Sequence, residues 1–389
     1  MNVDALNIRH LQAVAAIAEA GSISAAARSV NLTQPAITQG IAKLEAQIGL
    51  SLFERRPGGM SPTEAAHVLV PRVVAALRLI ASSRVTSTQL RAFVTLARAG
   101  SYAAAATRTG LNEASLHRAV GDLEVGLGQR LVERRGRGIA LTARGMTVAR
   151  NFRLAAAELS SALAELAALQ GREVGRISIG AMPLSRARLL PNAVASFHRD
   201  HGNVDIAIAE GSHVELIGPL RDGELDMMVG ALRDPSPGND LVQQPLFIDR
   251  PVIIGRAGHP LARGGGAIAP ADLDRFGWIV PGEGTPLRNQ WRQMFDAVGR
   301  ATPRVPIECG SVITVRQLLV QSEFLTLLSP DQVAVELEAG WLVKIADAPG
   351  DLSRIIGVTT RTDWRPTQLQ RDFIAALATE AARIAAVSP

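Results

Sequence analysis

LTQPAITQGIAKLEAQIGLSLFERR fills residues 32–56, and a shift of 79 positions lays it without a gap on LNEASLHRAVGDLEVGLGQRLVERR at 111–135. Leu32/Leu111, Leu44/Leu123, Glu45/Glu124, Gly49/Gly128, Leu52/Leu131 and the closing Glu-Arg-Arg coincide. Upstream, Ala20-Gly21-Ser22 matches Ala99-Gly100-Ser101, and Ala25-Ala26-Ala27 matches Ala104-Ala105-Ala106. Agreement of this length at one offset marks an internal duplication, so one structural unit is used twice.

The spacing shows what the unit is. Ile37, Ile41, Leu44 and Ile48, repeated as Leu116, Val120, Leu123 and Leu127, put one apolar stripe on a helix. The other face carries Thr38, Gln39 and Lys43 in the first copy and His117, Arg118 and Asp122 in the second. Before it come a helix anchored by Leu11, Val14 and Ile17 (Leu90, Phe93 and Leu96 in the copy), a Gly-Ser stop, and a short alanine-rich helix. Two helices joined by a turn such as Val30-Asn31-Leu32 make a helix-turn-helix. An apolar strand and an arginine-glycine hairpin follow, RRPGGMSPT and then RRGRGIALT, which reads as a wing. The expected modules are 5–66 and 87–145, joined by a connecting helix over 67–86 that Pro71 should kink.

Residues 146–172 read as a linker helix whose Val148, Phe152, Ala155, Leu159, Leu163, Leu166 and Leu169 fall near heptad spacing. Such a narrow seam predicts pairing with a second chain, the plainer alternative being packing on its own neighbouring domain. From Arg176 strands alternate with helices, which predicts a parallel α/β sheet. The expected effector domain, 173–389, has lobe I at 173–249 and 361–389 and lobe II at 250–360, with the ligand cleft between them.

Charge divides the chain in the same way. Residues 1–172 hold 20 Lys+Arg against 11 Asp+Glu, a net of +9, while the rest holds 21 against 25, a net of −4. Only Lys43 and Lys344 are lysines, and arginine suits bidentate phosphate and guanine contacts, so the front half reads as a nucleic-acid binder. The start, MNVDALNIRH, lacks a secretion-signal pattern and no apolar run has membrane-spanning length, which points to the cytoplasm. The single Cys309 excludes an intrachain disulfide and a cysteine zinc cage. The seven histidines show no metal-ligand spacing, and there is no nucleophile elbow, Walker loop or dinucleotide fingerprint, so no metal, cofactor or catalysis is expected. The rival readings are a small-molecule-binding protein or enzyme whose basic half is only a protein-interaction module.

LTQPAITQGIAKLEAQIGLSLFER resembles the recognition helix of the LysR-type transcriptional regulators, and the linker helix and α/β half fit the same family. The resemblance implies two winged helix-turn-helix modules, a linker helix and a two-lobed α/β domain like the periplasmic binding proteins. It also implies double-stranded DNA, a small-molecule effector, RNA polymerase and a second copy of the chain as partners. WIVPGEGTPLR is similar to a branch associated with sugar uptake and aromatic-acid catabolism, which suggests an aromatic acid or sugar-related metabolite as effector. Two departures stand out. Family members ordinarily carry one winged helix, and in the second copy Glu113, Ala114 and Asp122 replace Gln34, Pro35 and Lys43. That copy either reads a different sequence or serves as a spacer gripping phosphate.

Candidate residues follow from these placements. Thr33 caps the recognition helix, with Gln34, Pro35 and Ala36 in its first turn. Gln34 and Gln39 suit adenine, Thr38 a base edge or thymine methyl, and Lys43 guanine or phosphate, while Gly40 offers no contact. Arg55 and Arg56 approach phosphate or the minor groove. The second copy offers Ser115, His117 and Arg118, with Arg134, Arg135 and Arg137 on its wing. For the effector, helix-start loops carry Ser185 and Arg186, Thr285 and Arg288, and Ser311 and Thr314, with Arg233 as a further counter-charge.

Overall fold

Where each module turns is fixed by glycine and serine. In the computed structural model, which describes residues 3–57, 59–136, 138–263 and 268–387, the first module is α1 (Ile8–Ala20), α2 (Ile23–Ser29), α3 (Gln34–Ile48) and a hairpin of β1 (Phe53–Arg56) and β2 (Gly59–Pro62), leading into α4 (Glu64–Ile80). The second repeats it as α5 (Ser87–Ala99), α6 (Tyr102–Thr109), α7 (Glu113–Leu127), β3 (Val132–Arg135), β4 (Gly138–Leu141) and α8 (Ala143–Leu169). Gly21 (φ +67°) and Gly100 (φ +70°) end α1 and α5 in the left-handed conformation that glycine adopts without strain. Ser22 and Ser101 then cap the following helices by accepting N–H bonds from Ala25 and Ala104, both 3.2 Å.

The repeated glutamate has a mechanical role. Glu45 Oε1 accepts the N–H of Leu52 (2.7 Å), and Glu124 Oε1 accepts those of Leu131 (2.6 Å) and Val132 (3.1 Å). Each recognition helix thereby holds the start of its own wing, which is why Leu-Glu and the strand leucine recur together.

α4 and α8 lie antiparallel and make the most extensive helix pair in the chain. Leu69, Val73, Ala76 and Ile80 of α4 and Phe152, Ala155, Leu159, Ala162 and Leu166 of α8 are all buried in one core shared by both modules. This corrects the expectation that the α8 seam awaits a second chain: α4 of the same chain covers it. Periodicity identifies an apolar face but not its cover, and the duplication supplied a second helix with a matching stripe. α4 starts at Glu64, runs through Pro71 and stops at Ala81, whose φ of +57° ends it short of the residue 86 expected from the sequence.

Beyond α8 lie β5 (Gly175–Ala181), α9 (Leu189–Asp200), β6 (Val204–Glu210), α10 (His213–Arg221), β7 (Met227–Ala231) and β8 (Leu241–Asp249). Next come β9 (Val252–Arg256), α11 (Pro260–Arg263), α12 (Pro270–Leu273), β10 (Ile279–Val280), α13 (Pro286–Asp296), β11 (Ile307–Glu308), α14 (Val312–Val320), β12 (Thr326–Leu328), α15 (Ala334–Glu338) and β13 (Leu342–Asp347). β14 (Arg354–Arg361) and α16 (Gln368–Val387) close the chain. Lobe I is a five-stranded sheet in the order β6-β5-β7-β14-β8, and lobe II centres on β12-β9-β13.

Three features of this half differ from what its sequence predicts. The lobe I sheet is mixed, since β14 runs antiparallel to both β7 and β8. β14 also belongs to lobe I, so the chain returns before Arg354 rather than after residue 360. The run PLSRARLLPNAVASFHRD (183–200), which reads in sequence as one helix, breaks into a turn at Pro183–Ser185 and α9 from Leu189. For β14, pairing partners distant in sequence decided the outcome.

Candidate nucleic-acid interface

Thr33 Oγ1 caps α3 by accepting the Ala36 N–H, and Pro35 sits in the first turn, where no N–H is needed. With Ile37, Ile41, Leu44 and Ile48 buried, Gln34, Pro35, Ala36, Thr38, Gln39 and Lys43 are left exposed along one side. The Thr38 hydroxyl donates to the Gln34 carbonyl at 3.0 Å. Arg55 and Arg56 are exposed on the wing whose start is held by Glu45 of this helix. Gly40 is buried rather than facing outward, because a side chain there would meet His10 Cδ2 at 3.1 Å. Close packing of α1 on α3, not a forgone base interaction, explains that glycine. Burial, reinforced by Lys43, lowers the His10 pKa, so this ring packs as a neutral group.

In the second module Asn112 caps α7 by accepting the Ser115 N–H at 2.7 Å. Ser115, His117, Arg118 and Asp122 are exposed, as are Arg134 and Arg135, while Arg137 lies outside the described residues. His117 is not free in the way its counterpart Thr38 is: its ring stacks on Tyr102 at 3.5 Å between centroids. Tyr102 is held neutral, its pKa raised by burial and by Glu124.

The effector candidates sit on separate loops with their own bonds. Ser185 is fully buried and donates to the Met182 carbonyl (2.9 Å). Arg186 donates to the carbonyls of Ala181 and Gly211 and pairs with Glu210. Thr285 caps α13 and donates to the Gly282 carbonyl (2.8 Å), while Ser311 caps α14 with Thr314 bonded to it. Arg288 is buried against Glu283, Glu308 and the Trp291 ring, so nearby carboxylates and the ring face already answer its charge. Arg233 is half-buried, and burial lowers its pKa.

Two charge clusters escaped the sequence reading, and both tie the effector domain to the helices. Arg72 of α4 is buried. It bonds Glu165 through Nε (2.6 Å) and Nη2 (2.9 Å), Glu158 through Nη1 (3.3 Å), and the Arg365 carbonyl (3.1 Å). Burial alone disfavours its charge, but Glu165 and Glu158 outweigh this and raise its pKa. Burial raises the pKa of Glu158 despite Arg72, so the two-pronged Glu165 contact carries the pairing. Arg150 and Arg153 of α8 meet Asp222, with Arg98 on Glu224 beside them. A charged residue inside an apolar stripe was the only signal available for Arg72.

Asp226, whose Oδ2 accepts the Ser178 N–H at 2.7 Å, is a second sensitive point between α10 and β7. Burial pushes its pKa up to about 6 against the pull of that bond and of Arg361. With the folded value raised, its contribution to stability is full below the unfolded value, about pH 4, and is lost as pH rises through about 6. Asp226→Asn removes that loss. The variant gains on the wild type in denaturant melts from about pH 4 to pH 7, by at most about 3 kcal/mol for two pK units. Parallel pH curves for the two proteins would rule this out.

Comparison with known proteins decides the family. The pattern described as "Bacterial regulatory helix-turn-helix protein, lysR family" matches twice, at 8–67 and 87–146, and that of the "LysR substrate binding domain" matches 170–382. The chain belongs to the LysR family of transcriptional regulators. It is similar to the HTH-type transcriptional regulator GalR of Pseudomonas putida, 32% identical over 375 residues, which cover 93% of this chain and 94% of that one. It is also similar to the SDS degradation transcriptional activation protein of a Pseudomonas species, 34% identical over 68% of this chain and 86% of that one. A full-length OxyR variant from Pseudomonas aeruginosa shares the fold, with a TM-score of 0.56 at 24% identity, over 76% of this chain and 93% of that one. This regulator is thus a DNA-binding protein with an effector-binding domain, not an enzyme. Among the described residues no helix is long and apolar enough to cross a membrane, and no cluster of metal-ligating side chains occurs.

Proposed function

We propose that this regulator binds operator DNA through Thr33, Gln34, Pro35, Ala36, Thr38, Gln39 and Lys43 on α3, with Arg55 and Arg56 on the flanking phosphates. The observation that carries this is the exposed polar side of α3: its apolar stripe is consumed by the core, its N-terminus is capped, and its Glu45 holds the start of an arginine-bearing wing. Ser115, Arg118, Arg134 and Arg135 form the corresponding surface of the second module. The regulator acts in the cytoplasm on catabolic or uptake genes, together with RNA polymerase. Mapping the sites it occupies across a genome tests this reading. Enrichment of one motif upstream of such genes is expected, and binding without any motif would refute it.

The effector is a small carboxylated or polyhydroxylated metabolite, an aromatic acid or a sugar-related compound, held between the lobes. Support comes from the hydroxyls of Thr285 and Ser311, which cap α13 and α14, where the backbone N–H groups of a helix start favour anions. Titration calorimetry of the full chain against such compounds should detect one that binds. Ser185→Ala and Thr285→Ala should each weaken it by about 1.5 to 3 kcal/mol if they bond a charged group. Equal affinity in both variants would take these hydroxyls out of the site.

A further inference from the structure

Contacts between the two modules obey a rule that a duplication in sequence does not require. Ser87 Oγ accepts the N–H of Ile8 (3.2 Å) and donates to the carbonyl of Leu6 (2.7 Å), and Ile8 and Ser87 are counterparts at the repeat offset. A residue that touches its own counterpart lies on the axis relating the copies. Ala76 and Ala155, also counterparts, are both fully buried on the faces where α4 and α8 pack. Off the axis, positions recur in exchanged form. Ser82 and Leu127 line one recess, while their counterparts Ser161 and Ile48 line another.

We propose that one chain is by itself a complete two-headed DNA-binding unit: the second winged helix takes the place that another copy of the first would hold in a two-fold dimer. A single chain then covers both halves of an operator, and the operator is asymmetric. The inference rests on the DNA-binding reading above. A two-fold rotation preserves direction along its axis, so α3 and α7 face the same way, as two half-sites on one duplex require. The copies keep their apolar stripes and differ where they are exposed: Thr38 against His117, Gln39 against Arg118, Lys43 against Asp122.

The buried charges choose this pairing over the symmetric ones. The counterparts of Arg72, Glu158 and Glu165 are Asn151, Leu79 and Thr86, so the ion pair forms on one side of the axis only. If α4 met α4 of a second chain in the same register, Arg72 would be buried against Leu79 with no carboxylate. If α8 met α8, Glu158 would find Asn151. Both leave an uncompensated buried charge, which disfavours dimers of like helices. Association through other surfaces would therefore join complete units.

The test selects binding sites from random duplex DNA with the full chain, then combines hydroxyl-radical footprinting with a stoichiometric titration. Two protected half-sites per bound chain are expected, within a non-palindromic sequence. Arg134→Ala with Arg135→Ala should lose protection in one half only, and Gln39→Ala with Lys43→Ala should change the selected bases in the other half only. One protected half-site per chain, with a palindrome altered in both halves by the Gln39/Lys43 variant, would overturn the proposal while leaving DNA binding intact. Failure to select any sequence would overturn both.

Discussion

Arg72→Ala should destabilise the helical half by about 3 kcal/mol and make it melt ahead of the effector domain. Removing one partner of a buried ion pair costs about 3 to 5 kcal/mol because the remaining charge stays behind without compensation. Here the lower end applies, since side chains of Glu158 and Glu165 keep 15% and 24% of their exposure and water relieves part of the penalty. The same arginine donates to the Arg365 carbonyl, and Arg365 in turn donates to the Pro71 carbonyl at 3.1 Å, so the substitution also loosens lobe I from α4. The chain provides its own probes: all four tryptophans, Trp278, Trp291, Trp341 and Trp364, belong to the effector domain. Tryptophan fluorescence therefore follows that domain, while circular dichroism is weighted towards the helices. Coincident transitions at wild-type stability would contradict the assignment. Adding Glu165→Gln should recover part of the loss, because a neutral amide leaves less buried charge unanswered.

Gln39→Ala combined with Lys43→Ala should change and relax sequence preference in the half-site read by α3, each base interaction removed costing about 1 to 3 kcal/mol. The corresponding pair on α7 is expected to behave differently. His117 is held by its stack on Tyr102, and Glu113 and Asp122 put negative charge on the side that would enter the groove. His117→Ala with Arg118→Ala should leave sequence preference nearly unchanged. Neutralising Arg134 and Arg135 should weaken all sequences alike and reduce the salt slope by about one unit for each phosphate no longer gripped. Binding to a panel of point-substituted operators at several salt concentrations separates the two. A change of preference at particular bases in the His117/Arg118 variant would make α7 a second base reader.

The sequence by itself determined the local units of this protein. The repeat at a constant offset, the stripes on α3 and α7, the Gly-Ser stops and the threonine cap are all written within one or two helical turns, because helix periodicity and capping are local properties. Family membership followed from the same residues. Tertiary structure decided what those units meet. The stripe on α8 looks the same in sequence whether a second chain or α4 covers it, and only folding showed α4 there. Gly40 looks like a gap in the reading surface until His10 is packed against it. Arg72 looks like a surface charge until Glu158 and Glu165, on a helix a whole module away, close around it. β14 joined lobe I through pairing with β7 and β8, strands far back in the chain. Burial, ion pairing and strand partnership depend on which surfaces come together in space, and a pattern read along one chain specifies a face without specifying its neighbour.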